Sequence, residues 1–256
     1  MIVDTNVYLG RWPFRRLPDD EPAALAARLR RHGVTQAWTG SFDGIFHKDT
    51  GAANARLAED CRRYGEGLLA PFGSINPKLP DWQEELRRCQ EAHKMRGIRL
   101  HPNYHGYTLD DPAAAELMRM ASARGLIVQI AVQMEDERVQ HPLMRVPPVD
   151  VSPLPKLAGA DAKLRLMLLN GFRSPSRQAL RGLAGVPGLR FDIAVLEGVG
   201  GVARLVEEVS ARRVLFGSHY PFYYFESALL KMKEAGLGET ETKRILEDNA
   251  REWMAR

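Results

Sequence analysis

The chain has 256 residues, the size of one (β/α)8 barrel or of two small domains, and at 45% hydrophobic it can bury a large core. Its formal net charge of +4 is spread along the whole length without a block of like charges, which reads as solvated helix faces and excludes a nucleic-acid stripe. Two cysteines, no apolar run of ~18 residues and no cleavable leader exclude a disulfide framework, a zinc pattern and a membrane span, and point to a soluble, cytoplasmic protein.

In chain order, Ile2 to Asn6 is the first strand, followed by Tyr8-Leu9-Gly10 and an aromatic-basic loop, Arg11-Trp12-Pro13-Phe14-Arg15-Arg16. Pro22 sits in the first turn of a helix that stops at Gly33, and Val34 to Gly40 is the second strand. After a loop with Phe42, Phe46 and His47, a helix ends near Gly65, and Leu68 to Asn76 is the third strand. A helix over Asp81–Lys94 leads to the fourth strand, Gly97 to His101, closed by Pro102. The helix from Pro112 stops at Gly125 before the fifth strand, Leu126 to Val132. Gln133 to Pro155 is the longest irregular stretch and carries the acidic run Glu135-Asp136-Glu137. Leu164 to Asn170, Leu189 to Val195 and Arg213 to His219 are the sixth, seventh and eighth strands, each with a helical pattern behind it. An amphipathic helix from Glu239 finishes the chain.

The recurring joint is a helix, a glycine at its C-terminal cap, then an apolar strand, as at Gly33, Gly125 and Gly188. Strand starts lie about 30 residues apart, a βαβ rhythm. No repeat or linker divides the chain, so residues 1–256 read as one α/β domain, a (β/α)8 TIM barrel with a C-terminal helix. The alternative, an open doubly wound sheet, lacks a glycine-rich phosphate loop after the first strand.

Period-two alternation selects the side chains that enter the barrel. It gives Asp4, Asn6 and Tyr8 on the first strand, Ser74 and Asn76 on the third, and Arg99 and His101 on the fourth. The fifth brings Gln129, Ala131 and Gln133; Asn170, Asp192 and His219 close the last three. So many polar strand ends exceed what a buried core needs, since each would cost roughly 1–3 kcal/mol if left unpaired. A barrel rim also uses polar residues merely to cap loops, and that plain reading applies to any one of them.

These residues carry a resemblance. The chain resembles the amidohydrolase-related family of metal-dependent TIM-barrel hydrolases and decarboxylases, over essentially its whole length. The carriers are Asp4-Thr5-Asn6-Val7-Tyr8-Leu9-Gly10, Gly97-Ile98-Arg99-Leu100, Leu169-Asn170-Gly171, F-G-S-H-Y-P from Phe216, and Asp248-Asn249-Ala250-Arg251. The strings G-R-W-P-F and M-E-D-E-R-V-Q-H-P look like a bacterial subgroup of that family. The departures fall on the metal positions. The family's His-x-His would be Asn6 and Tyr8, its strand-five histidine Ala131, its strand-six histidine Asn170, and its strand-eight aspartate His219. Amide, phenol and methyl groups do not replace imidazoles and a carboxylate on zinc or manganese. The expectation is therefore no cofactor and no metal ligands. A rearranged single divalent site from Asp4, His101 and His219 is the alternative. The family is understood to include a metal-independent lactonase, but that branch keeps the ligands missing here.

Without a metal, the resemblance and the residue chemistry imply a hydrolase, lyase or decarboxylase acting on a small carboxylated or lactone-like compound. His219 is the first choice for acid/base, with Asp192 as its orienter or a second acid and His101 as the alternate. Arg99 would fork onto a carboxylate, Asn6 and Asn170 would donate to an oxyanion, and Tyr8, Gln129 and Tyr104 would line the pocket. Arg138 and His141 could reach over it from the fifth-strand loop. Trp12, Phe14, Phe46, Tyr104, Phe172 and Tyr220 to Phe225 would wall a small-molecule site, or form the interface of a homodimer. The competing class is a non-catalytic barrel that binds a metabolite or serves as a scaffold.

Overall fold

Eight aliphatic runs hydrogen-bond side by side in the order in which they occur, each parallel to the next. They are β1 (Ile2–Leu9), β2 (Val34–Ser41), β3 (Leu69–Ser74), β4 (Gly97–Leu100), β5 (Ile127–Ala131), β6 (Arg165–Leu169), β7 (Leu189–Asp192) and β8 (Val214–Leu215). The computed structural model describes residues 1–171, 173 and 177–255, so Phe172 lies outside the described residues. The last strand returns to the first: Thr5 N–H donates to Phe216 O at 2.9 Å and Tyr8 N–H to Tyr220 O at 3.0 Å. With helices between the strands, this is the (β/α)8 barrel that the spacing predicts.

Two helix-to-strand joints follow the glycine grammar: Gly33 and Gly125 directly follow the helix caps with φ of +74° and +64°, a region that costs other residues strain. Gly188, at +67°, instead lies four residues past the helix Arg177–Ala184 and directly before β7. The eighth strand is shorter than the sequence suggests. Beyond Leu215 the backbone leaves the ladder, because the Asp4 carboxylate takes the Ser218 N–H at 3.0 Å and its hydroxyl at 2.5 Å. Residues 133–153 are without helix or strand, and the short helix Leu154–Gly159 follows. Among the described residues, no helix is long and apolar enough to cross a membrane.

The barrel interior is filled in layers. Its floor is Val3, Trp38, Phe72, Ile127, Met167 and Leu215, closed from beneath by Ala250 and Trp253 of the C-terminal helical segment Glu239–Ala255. Arg190 lies over the Trp253 ring at 4.4 Å, and Arg165 donates to the Trp253 carbonyl at 2.7 Å. The outer core packs Val7, Leu9, Ile98, Leu100, Val128 and Leu168 against the helices. Val3 belongs to the floor, yet Asn6 and Tyr8 also face inward further along β1. The inward phase therefore changes between them, at the register shift between Asp4 and Val7.

Candidate active site

The layer above the floor is built by Arg99 and Gln129, both wholly buried. Arg99 Nε donates to Gln129 Oε1 at 2.8 Å, Nη1 to Val7 O at 2.7 Å, and Nη2 to Trp38 O at 2.9 Å and Thr5 O at 3.3 Å. Gln129 Nε2 donates to the same Thr5 carbonyl at 2.8 Å. The Thr5 and Val7 carbonyls come from the irregular part of β1 and the Trp38 carbonyl from β2. Arg99 faces the interior as alternation predicts, and four hydrogen bonds to the protein engage its guanidinium beneath the strand ends.

At the strand ends, four residues meet in one hydrogen-bonded cluster. Asn6 Nδ2 donates to Asn170 Oδ1 at 2.9 Å and to Asp192 Oδ2 at 2.7 Å. Asn170 N–H donates to Asp192 Oδ1 at 2.9 Å, and its Nδ2 reaches Gln133 O at 2.8 Å and His219 Nδ1 at 3.3 Å. A Cβ at Gly217 would meet Asp192 Oδ2 at 2.8 Å, so glycine is what lets the eighth segment pass. Asn170 and His219 hold φ of +54° and +56°, an uncommon region for side-chain-bearing residues that recurs at functional sites. Asn6 Oδ1 is buried and has no partner.

The electrostatics separate the two acid/base candidates. Burial pushes the Asp192 carboxyl up to about 7, against the opposing pull of Asn6, the Asn170 N–H and Lys231. Burial holds the His219 imidazole down at about 3, only partly offset by its bond to Met134. Since a carbonyl only accepts, His219 Nε2 carries the proton it shares with Met134 O at 2.7 Å, leaving Nδ1 bare. Asp192 contacts Asn6 and Asn170 rather than His219, and it is 6% exposed where His219 is fully covered.

Tyr8 and His101 form the other side of the mouth. Tyr8 Oη lies 3.0 Å from His101 Nε2, and its ring stacks on Phe42 at 5.0 Å. His101 is held well below the usual imidazole range by burial, then by His105, Arg99 and His219. Over this sits a residue whose role the sequence left unassigned beyond an aromatic wall. Trp12, 3% exposed, packs on Phe42 at 5.4 Å, Phe46 at 5.1 Å and Phe222 at 4.8 Å, with Tyr104 at its edge, 6.4 Å away. The neighbouring Arg15 pairs with buried Glu135 and pins the loop down. Arg138 and His141 stand apart from the cluster on the outer surface. Arg138 grips Asp136, and His141 stacks on Phe14 at 5.4 Å. A second role not assigned by sequence is that of Ser218, whose hydroxyl completes the Asp4 tie; the G-S-H-Y string marks a turn but does not reveal that partner.

Polar side chains gather at the C-terminal ends of the parallel strands, the rim at which characterised TIM-barrel enzymes carry their sites. The chain belongs to the amidohydrolase family, whose profile matches residues 9–254. Solved structures of similar fold include a dihydroxybenzoic acid decarboxylase from a Polaromonas species, with bound manganese and the inhibitor 2-nitroresorcinol. It has a TM-score of 0.75 at 13% identity and covers 99% of this chain and 96% of its own. A putative amidohydrolase from Staphylococcus aureus has a TM-score of 0.75 at 12% identity, covering 100% and 99%. A probable 2-pyrone-4,6-dicarboxylic acid hydrolase from Acinetobacter baumannii, with citric acid bound, has a TM-score of 0.72 at 14% identity, covering 100% and 99%. Comparison with curated protein sequences gives no match.

Manganese in such a neighbour raises the question of whether these residues suit a divalent ion. Among the described residues, no group of three His, Cys, Asp or Glu side chains is placed to hold one. Asp4 is engaged by Ser218, and Asp4, His101 and His219 do not come together as such a group. The positions between them are amides bonded to each other. This donor set does not fit a family-type metal.

Proposed function

We propose that this protein is an acid–base enzyme of the amidohydrolase family that works without a divalent metal, on a small carboxylated or lactone-like compound, with Asp192 as the proton-transferring group. The observation that carries this reading is Asp192 itself. It is a strand-end carboxyl poised at about 7, positioned by two N–H donors and buried at 6% exposure. A group with proton affinity near neutrality can accept a proton and return it in one cycle. In hydrolysis, its carboxylate would take a proton from water as the water oxygen bonds to the acyl carbon. The protonated form would then supply that proton to the leaving oxygen. In decarboxylation, the carboxylic acid would protonate the substrate carbon as the bond to CO2 breaks, and bulk water would restore the proton. His219 becomes a neutral ring that fixes Asn170, and Asn6 holds the Asp192 oxygen in place.

The carboxylated aromatic ligands and substrates in the names of the structural neighbours support the substrate class, as does the aromatic wall around Trp12. The test is a panel of lactones, esters and aromatic carboxylic acids, assayed on protein whose metal content has been measured. Activity is expected in metal-stripped wild type and to fall at least about 100-fold in Asp192→Asn, in line with losing a general acid/base. Activity that vanishes on stripping and returns with manganese sinks the metal-free reading. The tight cap of Trp12 favours a second reading, a non-catalytic binder. That reading gains if small aromatic acids raise Tm and none is turned over.

A further inference from the structure

The positive charge beneath the cluster has no direct part in that chemistry. Arg99 is wholly buried, and the groups its guanidinium touches are neutral: three backbone carbonyls, Gln129 Oε1, and the face of Tyr8 at 4.5 Å. Among the described residues, no carboxylate oxygen lies within 4.0 Å of its nitrogens. A buried cation without a touching counter-ion is costly, and a merely space-filling role would be met more cheaply by an apolar side chain. The chain instead makes room for it. A Cβ at Gly40 would meet Nη1 at 2.8 Å and Cδ at 2.9 Å, so β2 carries glycine where the guanidinium lies. The register shift in β1 supplies the Thr5 and Val7 carbonyls that solvate it.

The titratable groups around it come from every element that closes the mouth. Asp4 and Tyr8 stand on β1, His101 follows β4, Asp192 ends β7, and His219 follows β8. Lys231, from the helix Phe225–Glu234, lies beyond Asp192 and donates to the Ile193 carbonyl at 3.5 Å. We infer that Arg99 is a fixed internal cation, a positioning residue that acts through space to keep the Asp192 carboxylate accessible and to stabilise negative charge forming at the strand ends. The inference deepens the acid–base reading, on which its catalytic meaning rests.

The physics favours arginine for this place. Its guanidinium stays protonated where a buried lysine would lose its charge readily, and its planar fork meets several carbonyls at once. Inside the barrel, little solvent screens its field, so the charge reaches groups it does not touch. The same field eases ionisation of Asp4 and Tyr8 and disfavours protonation of His101 and His219. One cation thus biases Asp4, Tyr8, His101 and His219 toward the form with less positive charge. It also opposes a divalent ion at the same rim, in keeping with the amide donors found there.

The experiment is a 13C titration of the Asp192 carboxyl, assigned by its loss in Asp192→Asn, in wild type, Arg99→Met and Arg99→Lys. In Arg99→Met the midpoint should rise by about one pH unit or more, a tenfold change in proton affinity. Arg99→Lys, whose amine readily loses its charge at this depth, should raise the midpoint in the same direction. A folded Arg99→Met whose midpoint stays at the wild-type value overturns the inference. Should Arg99→Met fail to fold, 15N shifts of the Arg99 side chain in wild type decide: they must remain those of a charged guanidinium from about pH 5 to 9. A neutral signal in that range overturns the inference as well. Neither readout needs turnover. A shifted midpoint with no substrate found would leave the internal cation standing and remove the catalytic reading.

Discussion

At the scale of single residues, His219 and Asp192 show how burial reassigns chemistry. A histidine at a strand end is the obvious proton carrier by composition. Here its ring stacks on Phe222 at 4.8 Å, meets the edge of Tyr8 at 5.7 Å, and donates Nε2–H to a carbonyl in the irregular loop. Nothing near His219 in the sequence announces that carbonyl, because Met134 lies 85 residues away. The expected outcome is a ring that stays neutral, in the Nε2–H form, as pH falls from 7 to about 4, since its proton affinity lies at about 3. Histidine 15N spectra over that range check it; a ring that charges near pH 6.5 would refute the closed mouth. His219→Ala should also cost about 2–4 kcal/mol of stability, from the cavity and the unpaired Met134 carbonyl, measured by urea unfolding.

At the scale of elements, the loop between β1 and the helix Pro22–Arg31 decides how dry the mouth is. Trp12 is its anchor, and the Arg15–Glu135 pair is its tie to the fifth-strand loop. Trp12→Ala should destabilise the protein by about 3–5 kcal/mol and let water reach the rings below. If the cap is what excludes water, the His219 midpoint should then climb from about 3 toward its ordinary 6.5 in the surviving folded protein. A midpoint unmoved in folded Trp12→Ala would place the desolvation in the strand ends instead. The same scale shows where sequence reading succeeds. The glycine-capped helices and aliphatic runs determine the barrel through local rules, and these survive folding unchanged. Strand-end identities were equally legible: Asn6, Asn170, Asp192 and His219 do converge. Their roles were not, because the bulge in β1 is a tertiary irregularity with no local signal. Its Thr5 and Val7 carbonyls accept from Arg99, so a residue that alternation aims correctly has its guanidinium engaged by the protein.

At the scale of the whole molecule, the buried cluster shapes how stability depends on pH. Asp4 and Asp192 have folded-state proton affinities raised from 3.8 to about 6 and about 7, so between pH 4 and 6 the native state holds two protons that the unfolded chain releases. His101 and His219 run the other way. Both affinities fall from 6.5, that of His219 to about 3, so in the same window the unfolded chain binds a His219 proton that the native state refuses, and His101 acts in the same sense. Stability rises with pH where the unfolded state binds more protons and falls where the native state does. Between pH 4 and 6 the two pairs therefore oppose each other. Below about 3.8 the unfolded acids also protonate, only the histidine contribution remains, and stability drops as pH falls toward 3. Asp192→Asn removes one native-state proton and shifts the balance. Relative to wild type, its stability should rise with pH by about 1.4 kcal/mol per unit between roughly pH 4 and 7, whatever constant offset the new amide introduces. Denaturant unfolding of both proteins across that range reads the difference in slope directly, and surface ion pairs common to both cancel from it. A flat difference would mean that the Asp192 carboxyl titrates in the folded protein as it does in water, and the acid–base role assigned to it would fall with that result.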